Sequence, residues 1–406
     1  MKKKTRFNAR NAKTSIRSRM EFLFCWRTVL KNPKSKAVPK RIGIDARLAY
    51  RRGVGTYTAN LILALAQVDT NNHYVLFNAP ALLKRQLSHP RFRFVEVPCG
   101  NAAYYEQVLL PKAAKVEGVQ LLHYVDNSCS LFTDLPIVLT LHDAMYTRPL
   151  KAVRMKPTFR QRLIYAYKKW FIPKSAWFAK KIITVSAYSK RRIVNETGVS
   201  AEKITVTLEA VDHQLYQKGT HPASGLFKIA VHGAADDRKN LSNILKAAKL
   251  LVSRKKSFQI FVIGMNKEEM ACTPYEREAL ELGLEPYVKW SGNVPAEKMI
   301  QTYHDADLLL YPSRLEGFGL PVLEAFACGT PVITSNTTSL PEVAGNAALL
   351  VNPEDPEAIA DAVQKAMEKP ALRRQLVERG LKRAKLFTWE KTAKETLLVY
   401  ESLLNG

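Results

Sequence analysis

Twice along its 406 residues the sequence runs through the same alternation of short apolar segments and amphipathic ones, and a polar stretch separates the two runs. Alternation of this kind calls for parallel strands joined by helical crossovers, with helices on both faces of each sheet. In the first run, strands are predicted at 41–45, 73–77, 137–141, 182–186 and 204–208, with a helix over 56–67. Residues 213–226, carrying Gly219, Pro222 and Gly225, read as a linker. The pattern then restarts. Strands are predicted at 229–232, 258–263, 288–290, 308–311 and 332–334, and helices at 240–252, 298–306, 321–328, 356–368 and 371–386. A last helix, 389–404, follows a break. The expectation is an α/β protein of two doubly wound parallel-sheet domains facing a central cleft. Strand C-terminal ends converge there, which is where such sheets bind ligands.

The chain is long enough for two domains, and its 47% apolar content can fill large cores. The net charge of +26 is concentrated in two places. Residues 1–40 hold 13 Lys/Arg and one acid, Glu21, while residues 144–195 hold 14 Lys/Arg and no acid. The other 314 residues balance at 35 basic and 35 acidic side chains. Basicity placed this way suits an anionic partner met at defined surfaces. The five cysteines are scattered and form no CxxC pair. They argue against a disulfide framework or a zinc cage and fit a reducing, cytosolic setting. No stretch nears 18 uninterrupted apolar residues, so no bilayer-spanning segment is expected. The Met1-Lys2-Lys3-Lys4 start lacks the apolar run of a secretory signal.

The stretch RLEGFGLPVLEAFACGTPVITS, residues 314–335, places two carboxylates, Glu316 and Glu324, around a strand-to-helix turn. Pro321 suits a first helical position and Gly329 a helix stop. Gly317 and Gly319 let the backbone approach a ligand. The N–H groups of Phe318, Gly319 and Leu320 would open a helix N-terminus, which favours an anion such as phosphate. Carboxylates on either side accept hydrogen bonds from sugar hydroxyls. The ligand suggested is a sugar, a diphosphate and a ribose in series. Taken alone, such a pair also suits a helix cap and a solvated helix residue.

EGFGLPVLEAFACGTPVI, followed by SLPEVAGNAALLVNP, closely resembles the family-4 retaining glycosyltransferases, also described as glycosyl transferases group 1. Glu316 and Glu324 match that family's E-x7-E element. The resemblance implies the GT-B fold, with two Rossmann-like domains at 41–212 and 227–387. It also implies a helix at 388–406 that crosses back to the N-terminal domain. Glu316 would contact hydroxyls of the transferred sugar, and Glu324 would hold the nucleotide ribose. Arg238 and Lys239, in the segment Asp236-Asp237-Arg238-Lys239-Asn240, resemble the family's cationic element, which stabilises a diphosphate leaving group. Gly53 and Gly55 resemble its N-terminal glycine loop near the donor phosphates. Many relatives have Arg where Thr56 stands. His142, of His142-Asp143, resembles the histidine near the donor sugar. Residues 288–294 resemble the base-binding strand, with the Val294 backbone as contact and Trp290 read as core. Residues 104–107 and 123–127 resemble acceptor-side segments.

For reaction and partners, the resemblance implies transfer with retention from a nucleotide-diphosphate sugar, with GDP-mannose as the candidate. The acceptor would be a lipid-linked glycan or a polysaccharide, in cell-surface glycan biosynthesis. No metal and no separate cofactor are expected, since the cleft sequence carries no DxD-like element. A front-face route, in which the departing phosphate helps take the acceptor's proton, competes with a covalent nucleophile. The competing functions are a non-catalytic membrane- or nucleic-acid-binding protein on this fold and a sugar-nucleotide epimerase.

Within 158–171, Leu163, Ile164, Tyr167, Trp170 and Phe171 follow helical spacing among Arg160, Arg162, Lys168 and Lys169. Lys174, Trp177, Lys180 and Lys181 continue that mixture, which suits an anionic membrane surface. The 1–40 extension, with Phe22, Leu23, Phe24 and Trp26 among cations, would add to it. No nucleic-acid motif is found, so no nucleic-acid partner is expected. The predicted location is the cytoplasmic face of a membrane, held peripherally.

Overall fold

The two runs fold into two wholly parallel sheets. The structure is a computed structural model describing residues 38–405 apart from 52, 144–157, 221–224, 235–236, 266, 272 and 293; the side chains of 160, 161, 267 and 296 are also outside the description. The expectations placed on residues 1–37, Arg52, Asp236, Asn293 and the Arg160 side chain therefore lie outside the described residues. The first sheet comprises β1 (Arg41–Asp45), β2 (His73–Phe77), β3 (Phe92–Val95), β4 (Leu121–Tyr124), β5 (Ile137–Thr140), β6 (Lys181–Thr184) and β7 (Ile204–Val206). Its strand order is β3-β2-β1-β4-β5-β6-β7. The second comprises β8 (Phe227–His232), β9 (Phe258–Ile263), β10 (Val288–Gly292), β11 (Leu308–Tyr311), β12 (Val332–Ser335) and β13 (Leu349–Val351), in the order β10-β9-β8-β11-β12-β13. The side on which successive strands are added switches between β1 and β4 and between β8 and β11. These switch points open a crevice at the strand C-terminal ends. Strands β3, β4 and β13 were not predicted from the sequence.

Lys40–Gly406 forms one compact unit. One apolar core runs through both sheets' neighbourhoods, taking in Tyr57, Leu61, Val125 and Val185 from the first half and Phe318, Phe326 and Leu340 from the second. Two further cores lie on the remaining faces, one within each half. The helix Trp389–Leu404 explains part of this continuity. Its buried residues Trp389, Thr392, Ala393, Thr396, Val399 and Tyr400 recur at helical spacing and pack on the helix Val54–Val68 of the first half. Tyr400 shares a 2.7 Å hydrogen bond with Nδ1 of the buried His123, whose Nε2 lies 2.7 Å from Thr140 Oγ1. The Thr392 hydroxyl donates to the Leu208 carbonyl at 2.6 Å. His123 thus acts as a structural strut, and burial lowers its pKa to about 3. It is not part of an acceptor-side surface. Chain 213–220 packs on the second half: the Gly219 N–H donates to Cys328 O, and His304 Nε2 lies 2.8 Å from Gln217 O.

Candidate functional site

A cavity of about 660 Å³ fills the crevice between the two sheets, within the range of small-ligand sites. Its floor on the second half is the loop between β11 and the helix Leu320–Cys328. Gly319 at φ 125° turns the chain there, Pro321 starts the helix, and Gly329 at φ 78° ends it. The loop's carbonyls are held away from the cavity. Ser339 Oγ donates to the carbonyls of Glu316 (3.1 Å) and Phe318 (2.7 Å). Ser186 and Ser189, from the first half, donate to the Gly317 carbonyl at 2.6 and 3.0 Å. With the carbonyls occupied from behind, Phe318, Gly319 and Leu320 line the cavity at the helix N-terminus, where backbone N–H groups lack intrahelical acceptors.

Glu316 sits at the centre of a donor cluster. Lys239 Nζ, Tyr311 OH and Ser313 Oγ all donate to its Oε1, at 2.8, 2.8 and 2.6 Å. Burial pushes its pKa up, but the charges of Lys239 and Arg238 and the bonds from Lys239 and Ser313 outweigh that and hold it below the usual value. The group is an ionised acceptor whose described contacts fall on one oxygen, leaving Oε2 for a ligand hydroxyl. Lys239 also bonds the Tyr311 hydroxyl and lies 4.5 Å from its ring centroid. Arg238 lines the cavity beside it. Asn240 shapes this cationic loop. It is buried with φ 63°, and its Nδ2 donates to Pro312 O (3.0 Å) and Pro353 O (2.6 Å). Asn240→Ala strands a buried carbonyl and is expected to cost about 2 kcal/mol, read as a lower urea midpoint at unchanged slope.

Glu324, one turn into the helix, accepts from Tyr303 OH at 2.8 Å and from Tyr216 OH. Burial, only partly offset by these bonds, raises its pKa. Tyr216 belongs to the stretch read as a linker and lines the cavity, a role with no signal in its local sequence. Val294 lines the far end beyond β10, and Trp290 packs on the second half's core.

From the first half come Gly53, Thr56, Asp126, Asn127, His142 and Glu209. Gly53, at φ 71°, faces the cavity with open space where a Cβ would stand. Gly55 does not line it: its Cβ would fall 2.3 Å from the Leu48 carbonyl oxygen, so this glycine closes the turn instead of approaching a ligand. Of residues 104–107, Tyr105, Glu106 and Gln107 are buried, and Arg47 bridges Asp45 and Glu106, each at 3.1 Å. Asp45, burial outweighing Arg47, is pushed up to about 6.

His142 stands at the end of β5 with both ring nitrogens engaged. Nδ1 lies 3.3 Å from Glu209 Oε1 and Nε2 lies 3.0 Å from Val125 O. Two acceptors for two nitrogens favour the imidazolium. Burial opposes it, but Glu209's bond and charge prevail and the pKa is raised above 6.5. Both ring nitrogens are thus engaged within the protein, by Glu209 and by the Val125 carbonyl. Glu209 was missed by sequence reasoning, although a carboxylate shortly after a short strand, as in ITVTLEA, is the signal available. A raised histidine pKa contributes stability that is complete below 6.5 and is lost as pH climbs through the folded-state value. Glu209→Gln is expected to move that loss to lower pH, followed by NMR titration of the His142 ring. An unmoved titration refutes the pairing.

Among the described residues, no group of three or more His, Cys, Asp or Glu is placed to hold a metal ion. An ionised acceptor, an adjacent cation pair and a helix N-terminus within one cleft can bind a phosphorylated polyhydroxyl compound and stabilise charge growing on its phosphate.

The family model described as Glycosyl transferases group 1 matches residues 215–383, and Glycosyltransferase Family 4 matches 51–215. The chain is 31% identical over 279 residues to O-antigen chain mannosyltransferase B of Escherichia coli, covering 66% of this chain and 70% of that one. It is 30% identical over 282 residues to the MMP alpha-(1->4)-mannosyltransferase of Mycolicibacterium hassiacum, covering 66% of each. Sucrose-phosphate synthase from Thermosynechococcus elongatus superposes with a TM-score of 0.73 at 20% identity, over 90% of this chain and 99% of that one.

Proposed function

We propose, for a chain that belongs to the family-4 glycosyltransferases of GT-B fold, a retaining transfer of a mannosyl group from a nucleotide diphosphate to a glycan or lipid-linked acceptor. That the chain is a glycosyltransferase of glycan biosynthesis follows from its relatives; donor, acceptor and stereochemistry are the reading advanced here. The observation carrying it is the Glu316–Lys239 pair at 2.8 Å, beside Arg238 and the N–H groups of 318–320. In this reading the diphosphate rests on those N–H groups, with Arg238 and Lys239 neutralising it. Glu316 Oε2 accepts a sugar hydroxyl, and Glu324 accepts from the ribose. The base lies toward Val294.

In the reaction, the bond between the sugar's anomeric carbon and the phosphate oxygen breaks, and its electron pair stays on the phosphate. The acceptor oxygen bonds to the same face of that carbon, and its proton passes to the departing phosphate oxygen. Arg238 and Lys239 stabilise the charge that grows there. His142, held by Glu209 and the Val125 carbonyl, forms part of the opposite wall. A panel of sugar nucleotides tested for thermal stabilisation separates donors, because a bound donor raises the melting temperature by mass action. GDP-mannose is expected to give the largest shift. No shift with any of the panel, and no slow nucleotide release, would refute the proposal. Acceptor-independent production of an isomerised sugar would favour an epimerase.

The membrane side of this reading has the enzyme peripheral on a cytoplasmic membrane face. Among the described residues no helix is long and apolar enough to cross a bilayer.

A further inference from the structure

The helix Phe159–Phe178 carries large apolar side chains on its solvent side. Phe159, Leu163, Ala166, Trp170, Lys174 and Trp177 follow one another at intervals of four, three, four, four and three residues, and so form one stripe along the helix. All six are exposed, with Phe159 at 76%, Leu163 at 56%, Trp170 at 54% and Trp177 at 61%. The opposite side is buried through Tyr165, Ile172, Ser175 and Ala176. An apolar stripe turned outward on a fold that has already built its cores marks an interaction surface.

We propose that this stripe docks the enzyme on an anionic lipid bilayer, with Phe159, Leu163 and Trp170 entering the headgroup boundary. The inference deepens the membrane reading above and rests on it. Charge complementarity selects the partner. Arg162, Lys169, Lys174 and Lys180 are exposed around the stripe, and 144–195 holds no acidic residue. The Lys174 ammonium stands 3.4 Å over the Trp170 ring, so one site presents an aromatic face and a cation together. A bilayer interface takes apolar and cationic groups side by side. A nucleic acid has no use for the alkyl groups of Leu163 and Ile164. A second copy docked stripe to stripe would set cations against cations.

The same helix reaches the cleft from its other side. The Lys168 ammonium donates to Asp126 at 2.8 Å, and Asp126 lines the cavity. Tyr167 OH donates to Glu106 at 3.0 Å. One helix therefore carries the bilayer contact and braces the acceptor-side wall, so an acceptor anchored in the lipid arrives at the cavity's first-half rim.

The full chain is to be sedimented with phosphatidylcholine vesicles and with vesicles of phosphatidylcholine and phosphatidylglycerol in equal parts. Binding is expected to the mixed vesicles, weakening as salt rises. Leu163→Gln with Trp170→Gln is expected to lower it by about tenfold or more. Lys169→Gln with Lys174→Gln is expected to lower it by about fivefold per cation. Melting temperature and donor-induced stabilisation are read on the same variants, so loss of docking stays distinct from loss of the sugar-nucleotide site. Unchanged vesicle binding in both variants, which would place the contact elsewhere such as in 1–37, overturns the proposal. So does a dimer that Leu163→Gln with Trp170→Gln dissolves, or a preference for RNA over the mixed vesicles.

Discussion

Glu316→Gln is expected to lower turnover by about 10²–10³ while leaving nucleotide affinity within about threefold. Three donors converge on Oε1 from Lys239, Tyr311 and Ser313. In the variant they fix the amide oxygen in that place and turn the NH2 toward the cavity. A donor then stands where the sugar hydroxyl needs an acceptor, and the negative charge facing Lys239 is gone. The nucleotide half is held in this reading by 318–320, Arg238, Lys239 and Glu324, and of these Lys239 is the one hydrogen-bonded to Glu316. Steady-state turnover and calorimetric nucleoside diphosphate binding check both halves of the claim. Turnover equal to the parent enzyme's would remove Glu316 from the reaction.

The second large effect is expected from Gly317→Ala. This glycine is not in a left-handed conformation; its constraint is proximity. A Cβ would fall 2.5 Å from the His142 carbonyl oxygen and 3.3 Å from Asp143 Cβ, and both belong to the opposite half. Backbone meets backbone here, with no flexible side chain to yield. Either the 316–320 loop retreats or the two halves part. The loop's Gly317 carbonyl is also held by Ser186 and Ser189 across the same gap. Glu342 adds a further tie, accepting from the N–H groups of Ala187 (3.0 Å) and Tyr188 (3.3 Å), where it complements the start of the helix Ala187–Thr197. Displacement of reacting groups by about 1 Å costs on the order of a hundredfold in rate, and that is the expected fall in turnover. Small-angle scattering with bound nucleotide is expected to show a wider particle, at a melting temperature near that of the parent. Parent-like turnover would mean that the loop relaxes without consequence.

The repeated alternation was enough to read two parallel-sheet domains, because crossover connections leave few other solutions. The strands predicted at 41–45, 73–77, 258–263 and 308–311 have the observed bounds. FRFV at β3, LLHY at β4 and LLV at β13 were missed: runs of three or four residues show no period of their own, and LLLY at β11 was read from the glycine-rich loop and helix that follow it. The 316–324 turn was legible because glycine, proline and carboxylate each have a separate physical reason to be there. Glu209 and Tyr216 were not, since each stands alone in its segment and owes its place to the tertiary fold. His142 was singled out by the family resemblance, and its double engagement depends on Glu209 and Val125 O, which only the folded chain brings together. Gly55 shows the converse, a residue in a suggestive pattern whose place leaves no room for a Cβ, which would fall 2.3 Å from the Leu48 carbonyl oxygen.

The polypeptide passes between the two halves twice, once near Tyr216 and again ahead of Trp389. Two crossings restrain the halves more than one would, because each removes freedom that the other leaves. One tether carries the Tyr216 phenol that donates to Glu324, so a crossing segment and the cavity floor meet at one carboxylate. A load on that carboxylate is therefore felt at the crossing itself, while the second crossing adds its restraint to the ties that Ser186, Ser189 and Glu342 make over the gap.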